Sequence, residues 1–266
     1  MAVVIVIPAR HASTRYPGKP LVELRGASGA AKSLIRRSWE AAMAVSGIDR
    51  VVVATDDARI RDHAEGFGAE VAMTSPACRN GTERCAEAVA NLGLTPEIVV
   101  NLQGDAPLTP AWFVEDLVAG LRADSRAGVA TPVLRCSWRM RDDLLADRRA
   151  GRVGGTTAVF GHDRQALYFS KEVIPFAAGS GAPDQPSPVF HHVGVYAYRP
   201  DALAAYPGWD EGALERLEGL EQLRFLERGR RILCVEVEAR GRQFWELNNP
   251  EDVAKLEAMM REMRID

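Results

Sequence analysis

Five consecutive β-branched residues, Val3-Val4-Ile5-Val6-Ile7, closed by Pro8, predict a strand buried on both faces. A polar loop follows, and apolar runs then alternate with helical periodicity. The pattern predicts a helix over about 33–45, a strand over 50–54, a helix to about residue 67 and a short strand over 70–73. A helix from near Gly81 to about Leu92, a strand over 97–102, a helix over 110–121 and a strand over 128–134 continue the rhythm. Strands alternating with helices of this length predict an α/β fold with a parallel sheet and helices on both faces.

The second half is less regular. Residues 137–155 are charge-rich and poorly periodic, which reads as a solvated helix or an excursion. Strands are expected over 156–160, 165–170 and 192–198, with a Gly-, Ala-, Pro- and Ser-rich loop over 177–188 that is mobile or a partner contact. A helix over 217–228, a strand over 232–238 and a closing helix over 250–263, with Pro250 in its first turn, complete the chain. No internal repeat or linker divides it, so residues 1–266 are expected to form a single domain.

Composition narrows the class. The 266 residues are 47% hydrophobic, ample for a core, and the formal net charge of −3 gives no global field that would draw the chain to nucleic acid. Cys78, Cys85, Cys136 and Cys234 lack C-x-x-C spacing, which argues against zinc and for reduced thiols in a cytoplasmic protein. Met1 leads directly into a strand without a charged leader, and no apolar run approaches the ~20 residues needed to span a bilayer. A soluble protein without membrane or nucleic-acid partners is expected.

The first loop, Ala9-Arg10-His11-Ala12-Ser13-Thr14-Arg15-Tyr16-Pro17-Gly18-Lys19-Pro20-Leu21, carries the strongest chemical signal. Three cations, two hydroxyls and free backbone N–H groups at the carboxyl end of a buried strand make a site for a polyanion, most simply a triphosphate. Gly26-Ala27-Ser28-Gly29-Ala30-Ala31-Lys32-Ser33 nearly matches the P-loop, but Ala31 occupies the second glycine position, and the stretch reads as a flexible turn. Asp105 follows a buried strand on a turn eased by Gly104, where a hard carboxylate suits Mg²⁺. Asn80 reads as an N-cap with Glu83 at the third helical position. His192, Gly194 and Tyr196 alternate on one face of a strand, which by itself fits half-buried, satisfied histidines.

Pro8-Ala9-Arg10, Ser13-Thr14-Arg15 and Pro17-Gly18-Lys19-Pro20-Leu21 together resemble the signature loop of the sugar-acid cytidylyltransferases, most closely the 3-deoxy-manno-octulosonate (Kdo) cytidylyltransferase family. The resemblance extends over nearly the whole chain. It implies a Rossmann-like nucleotidyltransferase fold, a dimerisation excursion and a homodimer. The implied reaction joins CTP to a 2-keto-3-deoxy sugar acid, giving the CMP-sugar and pyrophosphate, with Mg²⁺ as cofactor. Arg10, Arg15, Lys19 and Asp105 carry the implied catalysis; Pro8, Ala9, Arg10, Ser13, Lys19, Asn80, Gly81 and Gln103 hold CTP. Gln103, Lys171, His192, Tyr196, Glu221 and Gln222 line the sugar-acid pocket, and Asp105 and Asn248 hold the metal. A place in lipopolysaccharide biosynthesis follows from the same likeness.

Some positions depart from the family pattern. Asn248 stands where the family has its second metal-binding Asp, Lys171 where it has Arg, and Gly154-Gly155-Thr156-Thr157 where it has Asn-x-Val-Lys. An amide oxygen brings no charge to a cation, and lysine lacks the bidentate fork of arginine. The nucleotide loop is intact, so the departures fall on the sugar and metal side. They leave two alternatives open: a cytidylyltransferase for another acid, such as an amino-Kdo, another ulosonic acid or a specialised-metabolite acid, or a non-catalytic nucleotide-binding homologue.

Overall fold

A computed structural model describes residues 2–12, 15–153, 155–243 and 245–266. The chain divides into two compact units, Met1–Glu115 with Arg240–Asp266, and Asp116–Ala239.

In the first unit, β1 (Val3–Ala9) is the predicted buried strand; Val3, Ile5, Val6 and Ile7 are fully buried. The near-P-loop stretch is the turn over 26–30 of a hairpin between β2 (Glu23–Arg25) and β3 (Ala31–Ser33), and β3 leads into the helix. Ser33 then caps α1 (Leu34–Met43) by accepting from the Arg36 N–H, and Lys32 pairs with Glu40 at 2.8 Å. Those two residues are thus used locally, and no phosphate cradle forms there. β4 (Arg50–Thr55), α2 (Ala58–Gly66), β5 (Glu70–Met73), α3 (Gly81–Asn91) and β6 (Ile98–Leu102) follow.

The four main strands run parallel in the order β5-β4-β1-β6. The chain therefore steps outward from β1 through β4 to β5, then returns to lay β6 on the other side of β1. That reversal is a topological switch point, where the loops leaving the carboxyl ends of adjacent strands diverge and leave room for a ligand. The loops in question are residues 10–19 after β1 and 103–105 after β6.

Helix α4 (Ala111–Ala123) leads into the second unit, whose central strand is β7 (Val129–Ser137). Ser137 caps α5 (Trp138–Arg149), so the charge-rich stretch is a helix. β8 (Thr156–Phe160), β9 (Ala166–Ser170), β10 (Pro186–His192) and β11 (Val195–Tyr198) give the order β11-β7-β10-β8-β9, all antiparallel. After α6 (Pro200–Ala205), α7 (Ala213–Glu218) and α8 (Leu223–Glu227), β12 (Ile232–Glu236) pairs parallel with β7. The α/β expectation holds, with the parallel sheet in the first unit and mixed pairing in the second.

Four local expectations need correction. The loop expected over 177–188 is shorter, because β10 already begins at Pro186. The strand expected over 192–198 is interrupted at Val193-Gly194, where the Val195 N–H donates to the Val193 carbonyl at 2.8 Å in a three-residue turn. The helix expected over 217–228 is two helices, because Gly219 adopts φ 61° and ends α7 in the left-handed conformation that favours glycine. The chain then returns to the first unit, and α9 (Asp252–Met263) starts after Pro250 rather than at it.

Candidate active site

At the switch point, the Lys19 ammonium contacts Asp105 Oδ2 at 2.6 Å. Gly18 has φ 72° and closes the loop by donating its N–H to the His11 carbonyl at 2.9 Å, which delivers Lys19 into a short 3-10 turn. Asp105 is fixed from behind, since its carbonyl accepts the Leu247 N–H at 2.9 Å. Leu247 is buried with Leu24, Leu34, Leu108, Leu256 and Met260, and Tyr16 of the signature loop packs on the same cluster. The apolar cluster thereby ties the loop after β1 and the 245–249 segment to one floor.

Gly104 is required by a close approach. A Cβ there would lie 2.7 Å from the Pro8 carbonyl oxygen, so the turn after β6 touches the end of β1 backbone to backbone. A Cβ on Gly81 would be 3.3 Å from both Pro8 Cγ and Asn101 Nδ2, and 3.5 Å from Gln103 Nε2. Pro8, Gly81 and Gln103, separate in sequence, are thus brought together. Asn80 accepts the Glu83 N–H at 2.9 Å, the expected cap, while the Glu83 carboxylate also accepts from the Arg79 backbone N–H and guanidinium. Ala9 is buried at the end of β1 and Arg10 beside it is exposed. Arg15 donates to Asn248 Oδ1 at 2.9 Å. Ser13, also expected at this site, lies outside the described residues.

One residue was missed by sequence reasoning. Glu246 is accessible to solvent, yet Asn248 Nδ2 approaches its carboxylate at 3.4 Å. Desolvation by the surrounding protein, and next the Asp105 charge, push Glu246 up to about 7, with Lys19 and Arg15 opposing. No helical or strand periodicity links 246 to 248; their side chains meet through the Asn248–Glu246 contact.

In the second unit, His192, Tyr196 and Gln222 meet. The Tyr196 hydroxyl donates to Gln222 Oε1 at 3.1 Å, and the His192 and Tyr196 rings lie 5.6 Å apart despite the break between β10 and β11. All three are buried, and Gln222 Nε2 has no hydrogen-bond partner. His192 Nε2 lies 2.9 Å from Thr131 Oγ1; burial, and secondarily neighbouring His191, pull it down to about 3, so the ring is neutral. Glu221 is held through its carbonyl, which accepts from the Tyr206 hydroxyl at 3.0 Å. Lys171 donates its N–H to Glu218, whose other oxygen accepts from Ser170. The buried pair Arg224–Glu215, two 2.7 Å contacts, fixes the turn that carries Glu221 and Gln222.

Residues 4–232 match the cytidylyltransferase family model. The chain is 44% identical to the 3-deoxy-manno-octulosonate cytidylyltransferase of Maricaulis maris, over 98% of this chain and 97% of that one. It is 40% identical to the maize (Zea mays) protein of the same name, over 98% of this chain and 81% of that one. The chain belongs to the 3-deoxy-manno-octulosonate cytidylyltransferase family.

A CMP:2-keto-3-deoxy-manno-octonic acid synthetase solved with CTP shares the architecture, with a TM-score of 0.82 and 33% identity, over 99% of this chain and all of that one. The 4-diphosphocytidyl-2C-methyl-D-erythritol synthase of Anaerococcus prevotii, 13% identical with a TM-score of 0.59, shares the fold alone. Within a Kdo cytidylyltransferase framework, the donor set at Asp105 suits a hard divalent cation. Among the described residues no group of three or more His, Cys, Asp or Glu side chains gathers. Asp105 with one neighbouring carboxylate matches Mg²⁺, which takes one or two carboxylates and completes its shell with water and substrate phosphate.

Proposed function

We propose that this protein transfers the cytidylyl group of CTP to 3-deoxy-manno-octulosonate, forming CMP-Kdo and releasing pyrophosphate. The observation that carries the reading is full-length similarity to proteins of that name, combined with the Lys19–Asp105 contact at the switch point.

Arg10, Arg15 and Lys19 bind the triphosphate and balance charge that moves onto pyrophosphate as it leaves. Pro8, Ala9, Ser13, Asn80, Gly81 and Gln103 hold the nucleoside, with the backbone N–H groups near Asn80 and Gly81 facing the base. His192, Tyr196, Gln222, Glu221 and Lys171, all in the second unit, orient the sugar acid, Lys171 pairing with its carboxylate. Asp105, with Asn248 beside it, would hold Mg²⁺, which would supply Lewis-acid stabilisation to phosphate oxygens and lower the pKa of the attacking hydroxyl. No side chain forms a covalent intermediate; positioning and electrostatics supply the rate.

The protein works as a homodimer in the cytoplasm, in lipopolysaccharide biosynthesis. Leu167, Phe176 and Leu217 expose large apolar side chains in the second unit, which supports a subunit contact there. Sedimentation at two concentrations tests the dimer.

Lys171 favours a second reading, a related acceptor acid, because a single ammonium tolerates more carboxylate geometries than a guanidinium fork. Pyrophosphate release from each of four nucleoside triphosphates, with Kdo and a panel of other sugar acids, tests both. Release with CTP and Kdo supports the main reading; release with CTP and another acid alone replaces the acceptor.

A further inference from the structure

We propose that Glu246 is the second carboxylate of the divalent-cation site, taking the place of a ligand at position 248. The inference rests on the cytidylyltransferase reading and deepens it.

Asn248 is poorly placed to ligate a cation. Its amide oxygen, the one atom able to do so, accepts from the Arg15 guanidinium at 2.9 Å. Its amide nitrogen, a donor only, approaches Glu246 Oε2 at 3.4 Å. The amide therefore bridges Arg15 and Glu246. Its backbone is also fixed, because Asp252 Oδ2 accepts the N–H groups of Asn248 and Asn249 at 3.0 and 2.7 Å. Glu246, two residues earlier, meets the Asn248 side chain through its carboxylate and carries the negative charge that an amide lacks.

The seat of Glu246 is set by Asp105. The intervening Leu247 is buried and donates its N–H to the Asp105 carbonyl. That bond registers the 246–248 segment against the turn bearing the first carboxylate. Lys19 already contacts Asp105 Oδ2, which leaves Oδ1 free of any contact with Lys19. Two carboxylates from separate segments, with Lys19 and Arg15 beside them for phosphates, form a hard-oxygen site suited to a nucleotide-bound Mg²⁺.

The test is Mn²⁺ binding to the intact protein, read by electron paramagnetic resonance with and without CTP, in the parent, Glu246→Gln and Glu246→Gln/Asn248→Asp. Glu246→Gln is isosteric at an accessible position, and its circular dichroism is compared with the parent to verify folding. The expected result is a loss of Mn²⁺ affinity of tenfold or more in Glu246→Gln, with most of it regained in the double variant. An affinity within twofold of the parent, or a double variant no better than Glu246→Gln, overturns the assignment. The comparison without CTP and sugar acid separates this outcome from failure of the transfer reaction, which shows as absent pyrophosphate release by the parent.

Discussion

Lys19 and Asp105, 86 residues apart in the chain, meet at 2.6 Å between Nζ and Oδ2. The side chains are 12% and 25% exposed, so each is shielded enough for the pairing to matter yet open to a ligand. A cation and a carboxylate are thereby held at one point, as the proposed phosphate and metal roles require. Lys19→Met and Asp105→Asn are each expected to lower kcat/KM for CTP by about 100-fold or more, the scale of losing one preorganised electrostatic group. Initial rates of pyrophosphate release check this.

Gly104→Ala is expected to lower unfolding free energy by about 1–3 kcal/mol. The new methyl would sit 2.7 Å from the Pro8 carbonyl oxygen, and backbone cannot swing aside as a side chain can. Urea unfolding measures the loss, and the KM for CTP is expected to rise with it, since the proposed function has the same turn seating the nucleotide.

Tyr196→Phe removes the donor to Gln222 Oε1, leaving a buried amide that already has an unpartnered nitrogen. The expected outcome is a rise in KM for the sugar acid of about 3- to 30-fold, the scale of one hydrogen bond, with KM for CTP unchanged. Steady-state kinetics with each substrate varied in turn distinguishes the two.

Glu215→Gln is expected to destabilise the protein by about 3–5 kcal/mol, because it strips the charge partner from an Arg224 that is 1% exposed. Replacing both residues by leucine is expected to recover much of that loss, since no charge is then left buried. Denaturant unfolding of the single and double variants provides the measurement.

Stability is expected to fall in mild acid. Burial pulls His192 down to about 3 and His191 down to about 4, so both stay neutral in the folded state where the unfolded chain titrates at about 6.5. Below pH 6.5 the unfolded state binds more protons, and stability drops as pH falls toward the folded values. The slope approaches about 1.4 kcal/mol per pH unit for each histidine. His192→Gln should flatten the profile between pH 6.5 and about 4 in denaturant titrations.

Much of the fold was legible because it rests on local patterns. The β-branched run Val3–Ile7 became β1, and residues 70–73 and 156–160 became strands with the expected bounds. Asn80 capped α3 as its side-chain chemistry requires. The breaks at Gly194 and Gly219 were not legible. A backbone turn and a left-handed residue interrupt sequences whose side chains still look periodic.

The sequence by itself determined the chemistry available: the cations at 10, 15 and 19, the carboxylate at 105, and the imidazole, phenol and amide groups at 192, 196 and 222. Those residues are fixed in type, and their neighbours fix the local strand or turn that bears them. Only the tertiary structure decided which of them meet. The β5-β4-β1-β6 order brings Lys19 onto Asp105, and the bond from Leu247 to the Asp105 carbonyl registers Glu246 beside it. Such contacts depend on strand order and on burial of a shared apolar cluster, and no local periodicity encodes either.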